Sequence, residues 1–165
     1  MLLCTGATAD EVGDFTVTGG AENKDYSYAD GVLTILSSEP LTISNKDANT
    51  STNNRIVIGS GVTANLTFAD VNIKLGKNED TNGISAVTVP SGATLNLTLA
   101  DGSVNTVIGD TNGKGGSDSK SGAGIEASTG ATLTISCAHR GEPGHVCGEN
   151  CGSLTASGAA WGTSN

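Results

Sequence analysis

The residues best equipped for chemistry crowd one stretch of the chain. Three of the four cysteines and both histidines lie between Cys137 and Cys151. Cys137, His145, Cys147 and Cys151 would give a tetrahedral zinc ion four ligands. Their spacing matches no standard finger, and His145 and Cys147 are close for two ligands of one ion. In an exported protein the same cysteines would instead close the loop around Pro143 and Gly144 by a disulfide, from Cys137 to Cys147 or Cys151. Cys137 also suits a buried thiol, and Cys4 is left to pair with the remaining cysteine or with none. Zinc and disulfide both stay open.

Carboxylates offer the other chemistry. Asp70 and Asp101 end equivalent segments one repeat apart. Stacked at about 5 Å they would repel unless a cation bridged them. Calcium takes six to eight oxygens, and Asn72, Ser103 and turn carbonyls could complete its shell. The competing expectation is that both aspartates only cap turns. Asp110 and Asp118, with Asn112 and the surrounding glycines, make a second acidic group that reads equally as a loop. Catalysis is not expected. Lyase chemistry needs an Arg or Lys near an acidic metal site, and Lys74 beside Asp70 is the best pair available, but nothing sets it apart from a solvated surface pair. Hydrolysis by Asp70 and Asp101 would need a cleft to raise one pKa, and no phosphate loop or serine elbow occurs.

The elements that must position these groups follow from an internal repeat. Arg55–Asp70, Ser85–Asp101 and Gly124–Cys137 align on Gly61, Gly92 and Gly130. The alignment sets Ile56 against Val87 and Ile125, Leu66 against Leu97 and Ile135, and Phe68 against Leu99 and Cys137. Apolar residues alternate within each copy, which is strand periodicity, and the glycine supplies a turn between two strands. Residues 31–36 and 41–44 repeat the form, and residues 152–158 read as the start of another copy. Corresponding strands stacked in parallel would build an all-β right-handed parallel β-helix, a β-solenoid of roughly five coils. The reading takes residues 1–165 as one domain: regular coils over 12–136, a Cys/His-rich insertion over 137–151 and the start of a further coil over 152–165.

Alternation points Thr63, Asn65 and Thr67 outward, in line with Thr94, Asn96 and Thr98 and with Thr132, Thr134 and Ser136. Three readings of that polar face stand open: a solvated Thr/Asn ladder, a carbohydrate-binding platform, and an ice-binding plane of regular hydroxyls.

Gly13–Gly20 (GDFTVTGG), Asp25–Ile35 (DYSYADGVLTI) and Gly92–Asp101 (GATLNLTLAD) resemble secreted clostridial and gut-Firmicutes carbohydrate-binding-domain proteins. The resemblance covers most of residues 12–136. It implies a pectate-lyase-like β-helix displayed outside a bacterial cell, with calcium and acidic polysaccharide as ligands.

Composition agrees with such a module. The chain of 165 residues carries 24 glycines but only one Trp, two Tyr and two Phe, which suits a small-aliphatic core better than an aromatic one. Eight Lys and Arg against 17 Asp and Glu leave a net charge of −9, repelling phosphate backbones and anionic lipid. Nucleic acid is not an expected partner, and no apolar run reaches the roughly 18 residues of a membrane span. The sequence is expected to be a piece of a longer surface protein with neighbouring domains. The expected function is extracellular polysaccharide binding. The alternatives are a structural or adhesin stalk and an ice-binding protein.

Overall fold

A computed structural model describes residues 8–78, 83–112, 121–138 and 151–158. These residues are all-β, with no helix among them. The chain opens with β1 (Ala9–Val12), β2 (Phe15–Thr18), β3 (Tyr26–Ala29), β4 (Val32–Ile35) and β5 (Leu41–Asn45). A first strand triplet follows: β6 (Arg55–Ile58), β7 (Thr63–Phe68) and β8 (Asn72–Lys74), with the short β9 (Lys77–Asn78) after it. The second triplet is β10 (Val87–Val89), β11 (Thr94–Leu99) and β12 (Val104–Ile108), followed by β13 (Thr111–Asn112). The third is β14 (Ile125–Ala127), β15 (Thr132–Cys137) and β16 (Ser153–Ser157).

Like strands of successive triplets pair in parallel. The β7–β11 pair aligns Leu66 with Leu97 and Phe68 with Leu99, and the β11–β15 pair aligns Leu97 with Ile135 and Leu99 with Cys137. Val87 of β10 lies against Ile56 on one side and Ile125 on the other. These are the columns that the repeat predicts. Apolar residues at alternate positions all face one way, and Ile56, Ile58, Ala64, Leu66, Phe68, Val87, Leu95 and Leu97 are buried. A one-residue slip would turn every one of them to water, so the alternation itself holds the register.

The turn between the first two strands of each triplet is the same three times. The N–H of Val62 donates to Gly59 O, that of Ala93 to Pro90 O and that of Ala131 to Ser128 O. The third residue of each turn is Gly61, Gly92 or Gly130, with φ of +71°, +75° and +83°. A β-turn with positive φ at that place favours glycine because a Cβ would be strained there.

Two features depart from the sequence expectation. Residues 12–30 do not form a regular parallel coil. β1 and β2 pair antiparallel, β2 lies antiparallel on β5, and β3 and β4 form an antiparallel hairpin. Phe15 and Tyr26, both fully buried, fill this end, where a further coil would otherwise supply aliphatic contacts. Each repeat also has a third strand, so that β8, β12 and β16 make a sheet of their own. Residues 153–157 therefore complete the triplet begun by β14 instead of opening a new coil, because β16 lies in register on β12 from Val104 to Ile108.

β14, β15 and β16 are the outermost strands of their sheets. Ile135, in the Leu97 column but, among the described residues, with a neighbouring layer on one side only, is 43% exposed against 1% for Leu97.

Candidate functional site

The polar face is assembled as the alternation requires. Thr63, Asn65 and Thr67 align with Thr94, Asn96 and Thr98, and these in turn with Thr132, Thr134 and Ser136. Its carboxamides, however, are turned to each other. Asn96 Nδ2 donates to Asn65 Oδ1 at 3.0 Å, and Asn65 Nδ2 donates to Ser38 O at 2.9 Å. These bonds join successive layers.

Asp70 is similarly engaged. Its Oδ1 accepts the Val104 N–H at 2.8 Å, tying the corner after β7 to the start of β12 in the next layer. Asp70 itself takes the left-handed φ of +64°, whereas in the following repeat Gly102 does so, at +66°, and Asp101 does not. The two corners are therefore built differently. Buried Asn105 reinforces them: Oδ1 accepts the Val71 N–H at 2.9 Å, and Nδ2 donates to Ser103 Oγ at 2.9 Å and Ser153 O at 3.1 Å. In this arrangement Asp70 Oδ1 is held by a backbone N–H and Ser103 Oγ accepts from Asn105. Among the described residues no group of three His, Cys, Asp or Glu could hold a metal ion.

Of the Cys/His cluster, His145 and Cys147 lie outside the described residues, as does Asp118 of the second acidic group. Cys137 at the end of β15 and Cys151 are half-buried, and the described residues contain no disulfide bond.

Asp110 lies at a different kind of place. A cavity of about 360 Å³ opens where the hairpin turn at Asp30, the start of β6, and the chain beside Leu75, Ile84 and Asp110 converge. Asp30 and Gly31 form the two-residue link of the β3–β4 hairpin, with φ of +49° and +75°, the pairing of positive φ values that favours Asp-Gly in tight hairpins. The N–H of Arg55 donates to Gly31 O at 2.9 Å, bringing the Arg55 side chain to the same wall. Asn54 is buried beside the turn, where a Cβ on Gly31 would come within 3.2 Å of its Oδ1.

The floor of the cavity is held by close backbone approach. A side chain on Gly122 would collide with the Ile84 carbonyl, and one on Gly109 with the Gly122 carbonyl. Asp110, only 1% exposed, fastens these segments: Oδ1 accepts the Ile84 N–H at 2.7 Å and the Gly122 N–H at 2.9 Å. Its Oδ2 is buried with no hydrogen-bond partner. A buried carboxylate oxygen without a donor is costly, by about 1–3 kcal/mol or more.

A second hollow, about 240 Å³, is lined by Asp14, Asn45, Lys46, Asp47, Thr50 and Thr52. There the carboxylates are engaged: Thr52 Oγ1 donates to Asp14 at 2.7 Å, and Thr50 Oγ1 and the Asn49 N–H donate to Asp47 at 2.8 and 3.0 Å. Those bonds hold the Asp47 carboxyl below its ordinary range. The other buried acceptor without a partner, Asn72 Oδ1, lines neither.

No family model matches the chain, and no curated protein or solved structure shows significant similarity to it.

Sequence reasoning singled out Asp110, but as a metal ligand alongside Asp118 and Asn112. It passed over Asp30, Asn54 and Arg55. The Asp30-Gly31 pair between two alternating runs is a hairpin signal that would have placed the first of them.

Proposed function

We propose that the chain is an extracellular bacterial β-helix module that binds carbohydrate without catalysis, and that the cavity around Asp110 is where the glycan is held. The observation that carries this reading is the convergence of Asp30, Asn54, Arg55 and Asp110 on one hollow. Carboxylates, carboxamides and guanidinium groups are the donors and acceptors that match vicinal hydroxyls, and Leu75 and Ile84 offer apolar surface to the C–H edge of a ring. The parallel register of the three triplets supports the β-helix part, since each buries its aliphatic columns against the next.

A rigid stalk is the second reading. It is favoured by the Asn65–Asn96 and Asp70–Val104 bonds, which spend polar groups on joining layers.

Affinity electrophoresis of the chain in β-glucan, xylan, pectin and polygalacturonate gels, with calcium and with EDTA, separates the two. Retardation in at least one gel is expected from a glycan-binding module. Unretarded migration in all of them points to the stalk. Loss of retardation in EDTA would restore a calcium role for Asp70 and Asp101.

A further inference from the structure

We propose that the open end of the stack is a contact surface for a second copy of this chain, which adds β15 to β15 antiparallel across a two-fold axis. Among the described residues β14, β15 and β16 have a neighbouring strand on one side only. None of their residues is buried, whereas Val87, Val89, Leu95 and Leu97 one layer in are. Ile125, Leu133 and Leu154 pack against the core and Ile135 is 43% exposed, so an apolar surface continuous with the core reaches water here. These strands also lack the devices by which edges usually repel a neighbour. They contain no Lys, Arg or Pro, and β15 runs in register on β11 over all six residues without a bulge. Their one charged residue, Glu126, accepts from Ser85 Oγ at 2.8 Å. In a chain of net charge −9, this is a face on which two copies meet with little repulsion.

The backbone sets how the copies join. The N–H groups of Thr132 and Ala138 donate to Ala93 O and Leu99 O in the layer beneath, so alternation turns the N–H and C=O of Leu133 and Ile135 to the outer edge. The same two residues stand in the columns of Leu95 and Leu97. With Ile135 opposite the partner's Ile135, the two copies exchange both N–H···O bonds at that pair, and apolar side chains stay on one face with Thr and Ser on the other. Among the described residues the opposite end of the stack offers no such edge. β1 carries Asp10 and Glu11, Glu11 pairs with Lys46, and Phe15, Val17 and Tyr26 are fully buried there. Like ends therefore meet, and the assembly closes at two copies instead of growing head to tail. The edge strands have three, six and five residues, well short of the roughly 20–30 residues a side of a standard interface, so the dimer is weak and depends on concentration.

Sedimentation velocity of the full chain, in a reductant that prevents cross-linking through cysteine, should show one chain at about 10 µM and a shift toward two near about 1 mM, as suits an interface below standard size. Ile135→Lys sets two ammonium groups against each other at the axis and should abolish the shift. Because Ile135 is already 43% exposed, that variant should remain folded, with a thermal transition close to that of the unchanged chain. Hydrogen exchange gives a second reading without any variant: the Leu133 and Ile135 amides should be slow at the high concentration and fast at the low one.

A single chain at every concentration overturns the proposal; if the Leu133 and Ile135 amides are then slow even when dilute, the edge is covered by another segment of the same chain. Assembly that grows past two copies, or a dimer that Ile135→Lys leaves intact, overturns it as well.

Discussion

Asn96 gives its side-chain amide to the Asn65 carboxamide oxygen at 3.0 Å, one layer away along the outer face of the β7–β11 pair. Neighbouring rows of identical residues on a parallel sheet satisfy one another in this way. The Asn row that the repeat displays is thus an internal brace, while the unmet acceptor of Asp110 lies at a corner that no repeat column marks.

That division predicts the effect of removing the brace. Asn96→Ala should lower stability by about 1 kcal/mol, the usual net worth of such a hydrogen bond, and leave glycan retardation unchanged. Thermal unfolding and affinity gels of the same variant check both halves. Loss of retardation would return the binding site to the face.

Burial in the Leu97 column should depend on position in the stack. Leu97 lies between Leu66 and Ile135 and is 1% exposed, whereas Ile135 is 43% exposed. Leu97→Ala should cost about 2–5 kcal/mol, and Leu97→Asp should prevent folding, because the charge would be buried without a partner. Ile135→Ala should cost about 1 kcal/mol or less. Urea unfolding of the three variants measures the gradient, and equal costs at Leu97 and Ile135 would contradict the stacking order.

The antiparallel end should set the pH limits of stability. Ser37 Oγ donates to Asp25 Oδ1 at 2.8 Å and the Ala21 N–H donates to Oδ2 at 2.9 Å. The Ser37 bond, opposed by burial and aided by Ala21 and Lys24, lowers the Asp25 pKa from 3.8. A depressed folded pKa stabilises the protein above the unfolded value, and that contribution is lost as pH falls below it. Tyr26 behaves oppositely. Burial, and then the 2.6 Å bond to Asp10, raise its pKa above the ordinary 10.0, so its contribution is complete below pH 10.0 and lost as pH climbs further. Melting temperature against pH should fall at both ends, with Ser37→Ala lowering stability near neutral pH and flattening the acid limb, and Tyr26→Phe removing the alkaline loss.

At the cavity, the two oxygens of Asp110 should separate. Asp110→Ala strips the acceptor from the Ile84 and Gly122 N–H groups and should cost about 2 kcal/mol or more. Asp110→Asn retains that acceptor, so it should cost less than Asp110→Ala. Equal destabilisation by both substitutions would mean that Oδ2 has a structural task.

Much of this architecture is legible in the sequence, for a specific reason. Leu66, Leu97 and Ile135 repeat with strand alternation around turn glycines whose positive φ leaves few alternatives, so periodicity alone yields the register. The third sheet escapes because Asn72–Lys74 is three residues long and Ser153–Ser157 is mainly polar and small, too little for alternation to show. The antiparallel start escapes because Val32–Ile35 also fits the parallel columns, and in the structure it pairs with β3 on one side and β6 on the other. The cavity is less legible still. Asp30, Arg55 and Asp110 come from three different layers and share no spacing, and only the stacking of corners brings them together.

The central claim is that this corner, and not the Thr/Asn face, receives the sugar. Amide chemical-shift mapping of the isotope-labelled chain, titrated with an oligosaccharide from the polysaccharide that retards it, tests this most directly. The account predicts that the largest shifts fall on Asp30, Arg55, Asp110 and the Ile84 and Gly122 amides, together with the Asn54 side-chain amide. Shifts concentrated on Thr63, Asn65, Thr94 and Asn96, with the Ile84 and Gly122 amides unmoved, would contradict it.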